Sequence, residues 1–384
     1  MFGEVLTSTV YGAGDANVLV VVSLRGGADG LSMVVPHAEP AYYAARPRTA
    51  LAKSRLLVPD PTFGLHPAFL PLVPEWSAGR VAAIHAVGMP APNRSHFDAM
   101  EALEDADPGS SARVGWLNRM ISGLADTPDV FDGMQIGSPI LPTSLVGPAP
   151  TIATSEFADL VGPFAKDQAL RARVIAGLRA QYADYGGTVG TAGANALTLA
   201  DRAAAIDQVV SAGPSANVTY PKYSELGEAL RTTAGLIRAK VGVRAVAVDA
   251  GGWDHHVDLQ WRVNHSIDEL ATCLAAFARD LGEDAGRVTV VTLSEFGRRL
   301  TENGSAGVDH GYGNAMLVMG AGVRGGQFYG RWPGLGAGQQ VDGDLAVTTD
   351  YRSVLAEILR ARFGSVDVSK VFPGAKDTPL GFMA

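Results

Sequence analysis

"VRAVAVDAGGWDHH", residues 243–256, is an apolar run that stops at an acid and two glycines and then presents Asp254, His255 and His256 side by side. A short valine-rich run closed by glycines reads as a strand buried on both faces, the kind found in a parallel sheet. The same shape recurs along the chain. "NVLVVVSL" (17–24) ends in "RGGADG", "RVAAIHAV" (80–87) is followed by a polar loop, and "RVTVVTLSEFG" (287–297) and "NAMLVMGAG" (314–322) repeat the theme. Between these runs lie helical patterns at 66–79, 95–105, 256–282 and 350–364, and an almost wholly helical block at 166–240. Gly364 stands where a helix would end on a left-handed residue. Strands alternating with helices predict an α/β fold: a three-layer α/β/α sandwich around a mostly parallel central sheet. The block at 166–240 is expected to be a helical insertion or cap within a single domain spanning 1–384.

The totals agree with one large domain. The chain has 384 residues, 47% of them hydrophobic, enough to bury a core without covalent staples. A net charge of −8 and the lack of any dense Lys/Arg run argue against nucleic acid as a partner. Cys273, the single cysteine, excludes an internal disulfide and a thiolate metal cluster. It lies in "ELATCLAAFA", a pattern for a buried helix face. No apolar run is long enough for a membrane span. Residues 1–17 show no basic, apolar leader, yet the small polar "STVYGAGDAN" is what a removed leader would leave behind.

In an open α/β sheet, ligands gather at the carboxyl ends of the strands. The residues following each expected strand therefore form the candidate set. Asp29 follows the first strand; Arg94, Ser95 and His96 follow the second. Asp249, Asp254, His255 and His256 follow the third, and Glu295 and Arg298 the fourth. His310, beside Asp309, immediately precedes the fifth. Carboxylates and imidazoles together suit divalent metals such as zinc or manganese. Each residue also has a plainer reading. Asp29 is compatible with turn chemistry, Ser95 with a helix N-cap, and Asp254 with the cap of the helix that follows. Glu295 is compatible with a salt bridge to Arg298, and His96 and His310 with ordinary surface histidines. Because adjacent side chains in a loop diverge, only one of His255 and His256 is expected to reach a given metal. No P-loop, G-x-S-x-G elbow, G-x-G-x-x-G fingerprint or H-E-x-x-H helix is present.

"LVVVSLRGGADGLSMVVPH", "NRSHFDAMEALE", "DAGGWDHH", "LSEFGRR" and "DHGYGNAMLVMGAGVRGG", in that order, resemble the bacterial family of domain of unknown function fifteen-oh-one (DUF1501), within the alkaline-phosphatase-like superfamily. The resemblance implies one or two divalent ions, zinc, manganese or calcium, and a nucleophile at a helix N-terminus. On it, Ser95 looks like the nucleophile; Asp29, Asp249, Asp254, His255, His256, Glu295 and His310 look like metal ligands. Phe296 stands where the superfamily has the histidine of an Asp-His-Gly motif. The resemblance also implies export through a twin-arginine leader.

The function expected from these residues is an exported metal-dependent hydrolase of a phosphate or sulfate ester, small or polymer-borne. Ser95 would attack, Arg94 or Arg298 would neutralise the anion, and His96 or one of the histidine pair would protonate the leaving group. The alternative is a catalytically degenerate exported binding or assembly protein working with a protein partner. A third reading, a non-haem-metal oxidoreductase or lyase, follows from a His/His/carboxylate set with open positions.

Overall fold

Val18–Leu24 (β1) is buried along its whole length, and its side chains alternate between two separate cores. Val18, Val20, Val22 and Leu24 enter one apolar cluster, while Leu19 and Val21 enter the other. A strand that must be apolar on both faces sits in the middle of a sheet covered on both sides. The computed structural model describes residues 16–384 apart from 92, 108–109, 125–127, 163–166, 186, 216 and 377. The segment on which the leader expectation rests, residues 1–15, lies outside the described residues, as does residue 166 at the start of the helical block.

After β1 the strands of the main sheet are Val81–Gly88 (β2), Gly133–Ile136 (β3), Ile152–Thr154 (β4), Ala245–Ala250 (β5), Val288–Leu293 (β6), Asn314–Gly320 (β7), Phe328–Tyr329 (β8) and Thr349–Asp350 (β9). They run in the order β8-β2-β7-β6-β1-β5-β3-β4, with β9 also paired to β2. β1 pairs in parallel with β5 and β6, and β3 with β5 and β4. β7 alone among these strands is antiparallel to both of its neighbours, β2 and β6. The five strands expected from sequence are β1, β2, β5, β6 and β7. The four others have two to four residues each, too short to show a two-residue period.

The helices divide between the two faces. Gly187–Val210 (α4), Glu225–Arg238 (α5) and Leu259–Asp280 (α6) lie on one side, and His96–Asp105 (α1), Trp116–Leu124 (α2) and Tyr351–Arg362 (α7) on the other. Gln168–Ala183 (α3) packs on α4. In α6, Leu259, Val263, Ile267, Leu270, Leu274 and Phe277 recur every three or four residues and share one core cluster. Cys273 is buried in the same helix, and burial pushes its thiol up to about 11, so it is packing material and not a nucleophile.

Three local expectations change. Residues 66–79 form a 3-10 turn, Pro67–Leu72, and a short helix, Val73–Ser77, because Pro71 and Pro74 remove the amides a longer α-helix needs. The helix expected from 256 starts at Leu259, since Asp258 is left-handed with φ 48° and breaks the run. The last long helix ends at Arg362 with Phe363 as its cap, at φ −133°, so Gly364 does not play the left-handed role.

Candidate metal centre

The sheet topology explains how a residue that precedes a strand joins residues that follow strands. The carboxyl ends of β1, β2, β5 and β6 lie along one edge, because these four run in the same direction. An antiparallel strand begins at that same edge. Asn314 opens β7, so His310, four residues earlier, meets the loops after β2, β5 and β6.

Three imidazoles converge there on Asp254. His256 Nε2 lies 2.9 Å and His310 Nε2 3.3 Å from Asp254 Oδ1, and His96 Nε2 lies 3.6 Å from Oδ2. His256 and His310 bring their Nε2 atoms to 3.1 Å of each other. Ligating atoms of His96, Asp254 and His310 all fall within 4.8 Å of one another.

The opposite nitrogen of each ring identifies the proton. His96 Nδ1 is 2.8 Å from Glu295 Oε1, His256 Nδ1 is 2.8 Å from Asp309 Oδ1, and His310 Nδ1 is 2.9 Å from the Arg94 carbonyl oxygen. The carbonyl accepts only, and so does an ionised carboxylate; Glu295 Oε1 already accepts the Gly26 amide, and Asp309 Oδ1 that of Asn303. Each Nδ1 therefore carries a hydrogen, which leaves Nε2 as the nitrogen of each ring that can offer a lone pair inward. Two lone pairs 3.1 Å apart beside a carboxylate repel unless a positive centre lies among them. Rings anchored at Nδ1 and open at Nε2 are the usual arrangement for metal-binding histidines. The donor set of His96, Asp254 and His310 thus fits a divalent cation, with His256 Nε2 beside two of the three.

The charges around the cluster agree. Burial opposes ionisation of Asp254, but the hydrogen bond and charge of Arg298 hold its carboxyl below the ordinary range. Hydrogen bonds from His256 and Asn303 do the same for Asp309. Burial lowers His310, which favours the neutral form of the ring, the form a metal binds. Phe296 packs against two of the rings, 4.9 Å from His96 and 4.7 Å from His310 by centroid, and supplies an apolar wall beside them.

Arg298 lies beneath the cluster. It is 1% exposed, and it donates to the carbonyls of Gly26, Gly27, Trp253 and Val308 and, at 2.6 Å, to Asp254. With its donors spent in this way it fixes loops and Asp254; it does not face a substrate. Gly26, at φ +117°, lets the loop after β1 pass this closely: an added Cβ would lie 2.6 Å from the Asp254 nitrogen.

The remaining expected residues take other places. Asp29 is fully buried and held by both terminal nitrogens of Arg46, at 2.5 and 2.9 Å, and by the Ser32 hydroxyl. Asp249 accepts from Arg25 Nε at 2.8 Å, and Arg25 also reaches Glu104. His255 turns into the core, with Nε2 3.2 Å from Ser266 Oγ. The structure does not bring these three to Asp254. Arg94 pairs with the buried Asp344 and lies over the Tyr312 ring. Ser95 caps α1 with extended backbone but makes no side-chain cap bond; its amide is taken by Asn93 at 2.7 Å, and its hydroxyl stays half-buried beside His96.

Asp309, read from sequence as a partner for His310, bonds His256 instead. Asn303 was not singled out, yet it donates to Asp309 at 3.0 Å and to the His256 carbonyl at 2.9 Å. Its sole sequence signal is an Asn-Gly turn pair. Arg46 had no motif around it at all.

No match is found among the curated proteins. Solved structures that resemble the chain include the lipoteichoic acid synthase LtaP from Listeria monocytogenes, with 8% identity and a TM-score of 0.34 over 83% of this chain and 69% of that one. Another is the alkaline phosphatase from the Antarctic bacterium TAB5, with 11% identity and a TM-score of 0.34 over 81% of this chain and 94% of that one. Residues 79–361 match the family described as "Protein of unknown function (DUF1501)", and the chain belongs to that family.

Proposed function

We propose that the chain is a metal-dependent hydrolase of a phosphate or sulfate ester, working outside the cytoplasm. One observation carries the reading: three imidazoles, each anchored through Nδ1, aim their Nε2 atoms at one carboxylate. A divalent cation held by His96, Asp254 and His310, with His256 beside it, would supply Lewis acidity toward an anionic ester oxygen. The chain's own residues do the rest. Glu295 and Asp309 keep the rings of His96 and His256 oriented, and Arg298 keeps Asp254 in place. Ser95, with a hydroxyl free of any cap bond and the first amides of α1 beside it, would be the nucleophile: its oxygen would bond to phosphorus or sulfur as the bond to the ester's alcohol oxygen breaks, and the serine proton would end on the departing alcohol. Arg94 is the cation at the rim and Arg298 a positioning residue, which narrows the two roles expected from sequence.

A second reading has an observation of its own. Asp29 and Asp249 are each neutralised by an arginine, which leaves fewer free ligands than the motifs promised. It describes a binding or assembly protein, with an exported partner, that keeps a single cation as structural cement.

Elemental analysis of protein reconstituted with zinc, manganese, iron or calcium decides the first step. The expected result is about one ion per chain, falling at least about tenfold in Asp254→Asn and His310→Ala. No stoichiometric ion with any of the four overturns the proposal. Turnover of aryl phosphates and sulfates that disappears in Ser95→Ala supports the hydrolase; a stoichiometric ion without turnover supports the second reading.

A further inference from the structure

Three aromatic side chains stand far out in solvent: Tyr223 at 104%, Phe97 at 89% and Trp261 at 71% exposure. All three sit at or just before the start of a helix, α5, α1 and α6 respectively. Those helix starts lie at the carboxyl edge of the sheet, the edge that carries the candidate metal centre. Isolated exposed apolar residues need no explanation, but three large rings on one face around one site do.

Trp261 has the most developed surroundings. Its ring stacks on His265 one helical turn later, with planes 10° apart, so it is held as a fixed platform. Two cavities, of about 290 Å³ and about 340 Å³, share Trp261, Gln260 and Thr49 as walls. The larger is completed by Asn264, His66 and Arg55, with no carboxylate among its lining residues. Arg55 makes no ion pair among the described residues, whereas Arg48, in the other cavity, is spent on Glu302 and the Asn303 and Gly304 carbonyls. The smaller cavity reaches Ala306, in the loop between Asn303 and Asp309 that also holds His256.

We propose that this face binds a saccharide chain, with one sugar ring laid on Trp261 and an acidic substituent of the chain met by Arg55. The C–H face of a sugar ring matches an exposed indole, and its hydroxyls match amide, hydroxyl and guanidinium walls. A protein-binding hot spot would have an apolar surround that excludes water. Here Trp261 is flanked on its own helix by exposed Gln260, Arg262 and Asn264. The inference rests on the hydrolase reading only in placing a cleavable ester of that saccharide at the metal centre; the binding face itself is argued independently.

Native electrophoresis through gels containing alginate, hyaluronate or neutral dextran tests it on the full chain. The wild type is expected to be retarded by at least one of the two acidic polymers and much less by dextran. Trp261→Ala should weaken that binding about tenfold, the weight of one aromatic platform, with Tm and metal content unchanged. Arg55→Gln should remove the preference for acidic polymer. Asp254→Asn should be retarded like the wild type, so loss of the metal and loss of saccharide binding are separable. Retardation by neither acidic polymer, equal retardation by dextran, or a Trp261→Ala protein that migrates like the wild type overturns the proposal.

Discussion

His255 and His256 leave the backbone in opposite directions: one is 1% exposed against Ser266, the other reaches Asp254 and Asp309. The divergence was readable from their adjacency, but which ring faces Asp254 depends on where the 303–309 loop docks, a tertiary fact. Asp29 and Asp249 make the same point in reverse. Asp29 follows β1 and Asp249 lies at the end of β5, and both have ligand chemistry, yet Arg46 and Arg25, neither read as a candidate site residue, claimed them. The Asp29–Arg46 pair has a measurable consequence. Burial raises the cost of the Asp29 charge, but Arg46 and Ser32 outweigh it and hold the carboxyl below its ordinary value. A carboxyl lowered on folding contributes stability that is complete above the unfolded pKa, near 4, and that drains away as pH falls through the folded value. Urea unfolding of the wild type should therefore show stability falling on acidification below about pH 4, with a shallower slope in Asp29→Asn. Arg46→Met alone should cost about 3–5 kcal/mol by leaving a buried charge unpaired, and adding Asp29→Leu should recover part of it. A double variant no more stable than Arg46→Met would show that the pair carries no such burden.

At the scale of elements, strand direction matters more than strand existence. The apolar run opening at Asn314 was legible; its reversal was not, because the two-residue period is the same in parallel and antiparallel strands. That reversal brings His310 to the same edge as His96, Asp254 and Glu295. The long runs were legible because they are buried on both faces, while β3, β4, β8 and β9 depend on neighbours for their pairing. The turn after β1 offers a test of how tightly the elements must approach. Gly26→Ala would place a methyl 2.6 Å from the Asp254 amide at a backbone angle that alanine rarely adopts. The loop carrying Asp254 must then shift, and with it the carboxylate on which three imidazoles converge. Metal affinity is expected to fall about 10–100-fold, as when an orienting partner is lost. Gly251→Ala, where an added Cβ meets nothing within 4 Å, is the matched control and should keep its metal. Equal metal content in the two variants would show that the approach of the loop after β1 does not position Asp254.

Across the whole molecule, stability should be uneven in a way the burial pattern dictates. The central strands β1 and β5 and the helices α5 and α6 all contribute to one core, and α4 joins it through Leu199, Ala203, Ile206 and Val210. Just before it in the chain, α3 has sixteen residues but buries only Ile175 among the described residues, and it packs chiefly on α4. A helix fixed by one buried side chain opens locally at little cost, whereas opening α6 requires exposing six large apolar residues that share a cluster. The block at 166–240, expected to act as one cap, is thus divided by its packing. We propose that α3 is the detachable part, and that α4 and α5 open only with the sheet. Hydrogen exchange read by mass spectrometry should find peptides from 168–183 exchanged orders of magnitude sooner than those from 225–238 or 263–277. Ile175→Ala should speed α3 further without moving α5, while Leu230→Ala, in the shared core, should cost about 2–5 kcal/mol and speed exchange in α5 and α6 together. Uniform protection across α3, α4 and α5 would mean that the block holds together by contacts other than the buried apolar ones, and the division proposed here would fall.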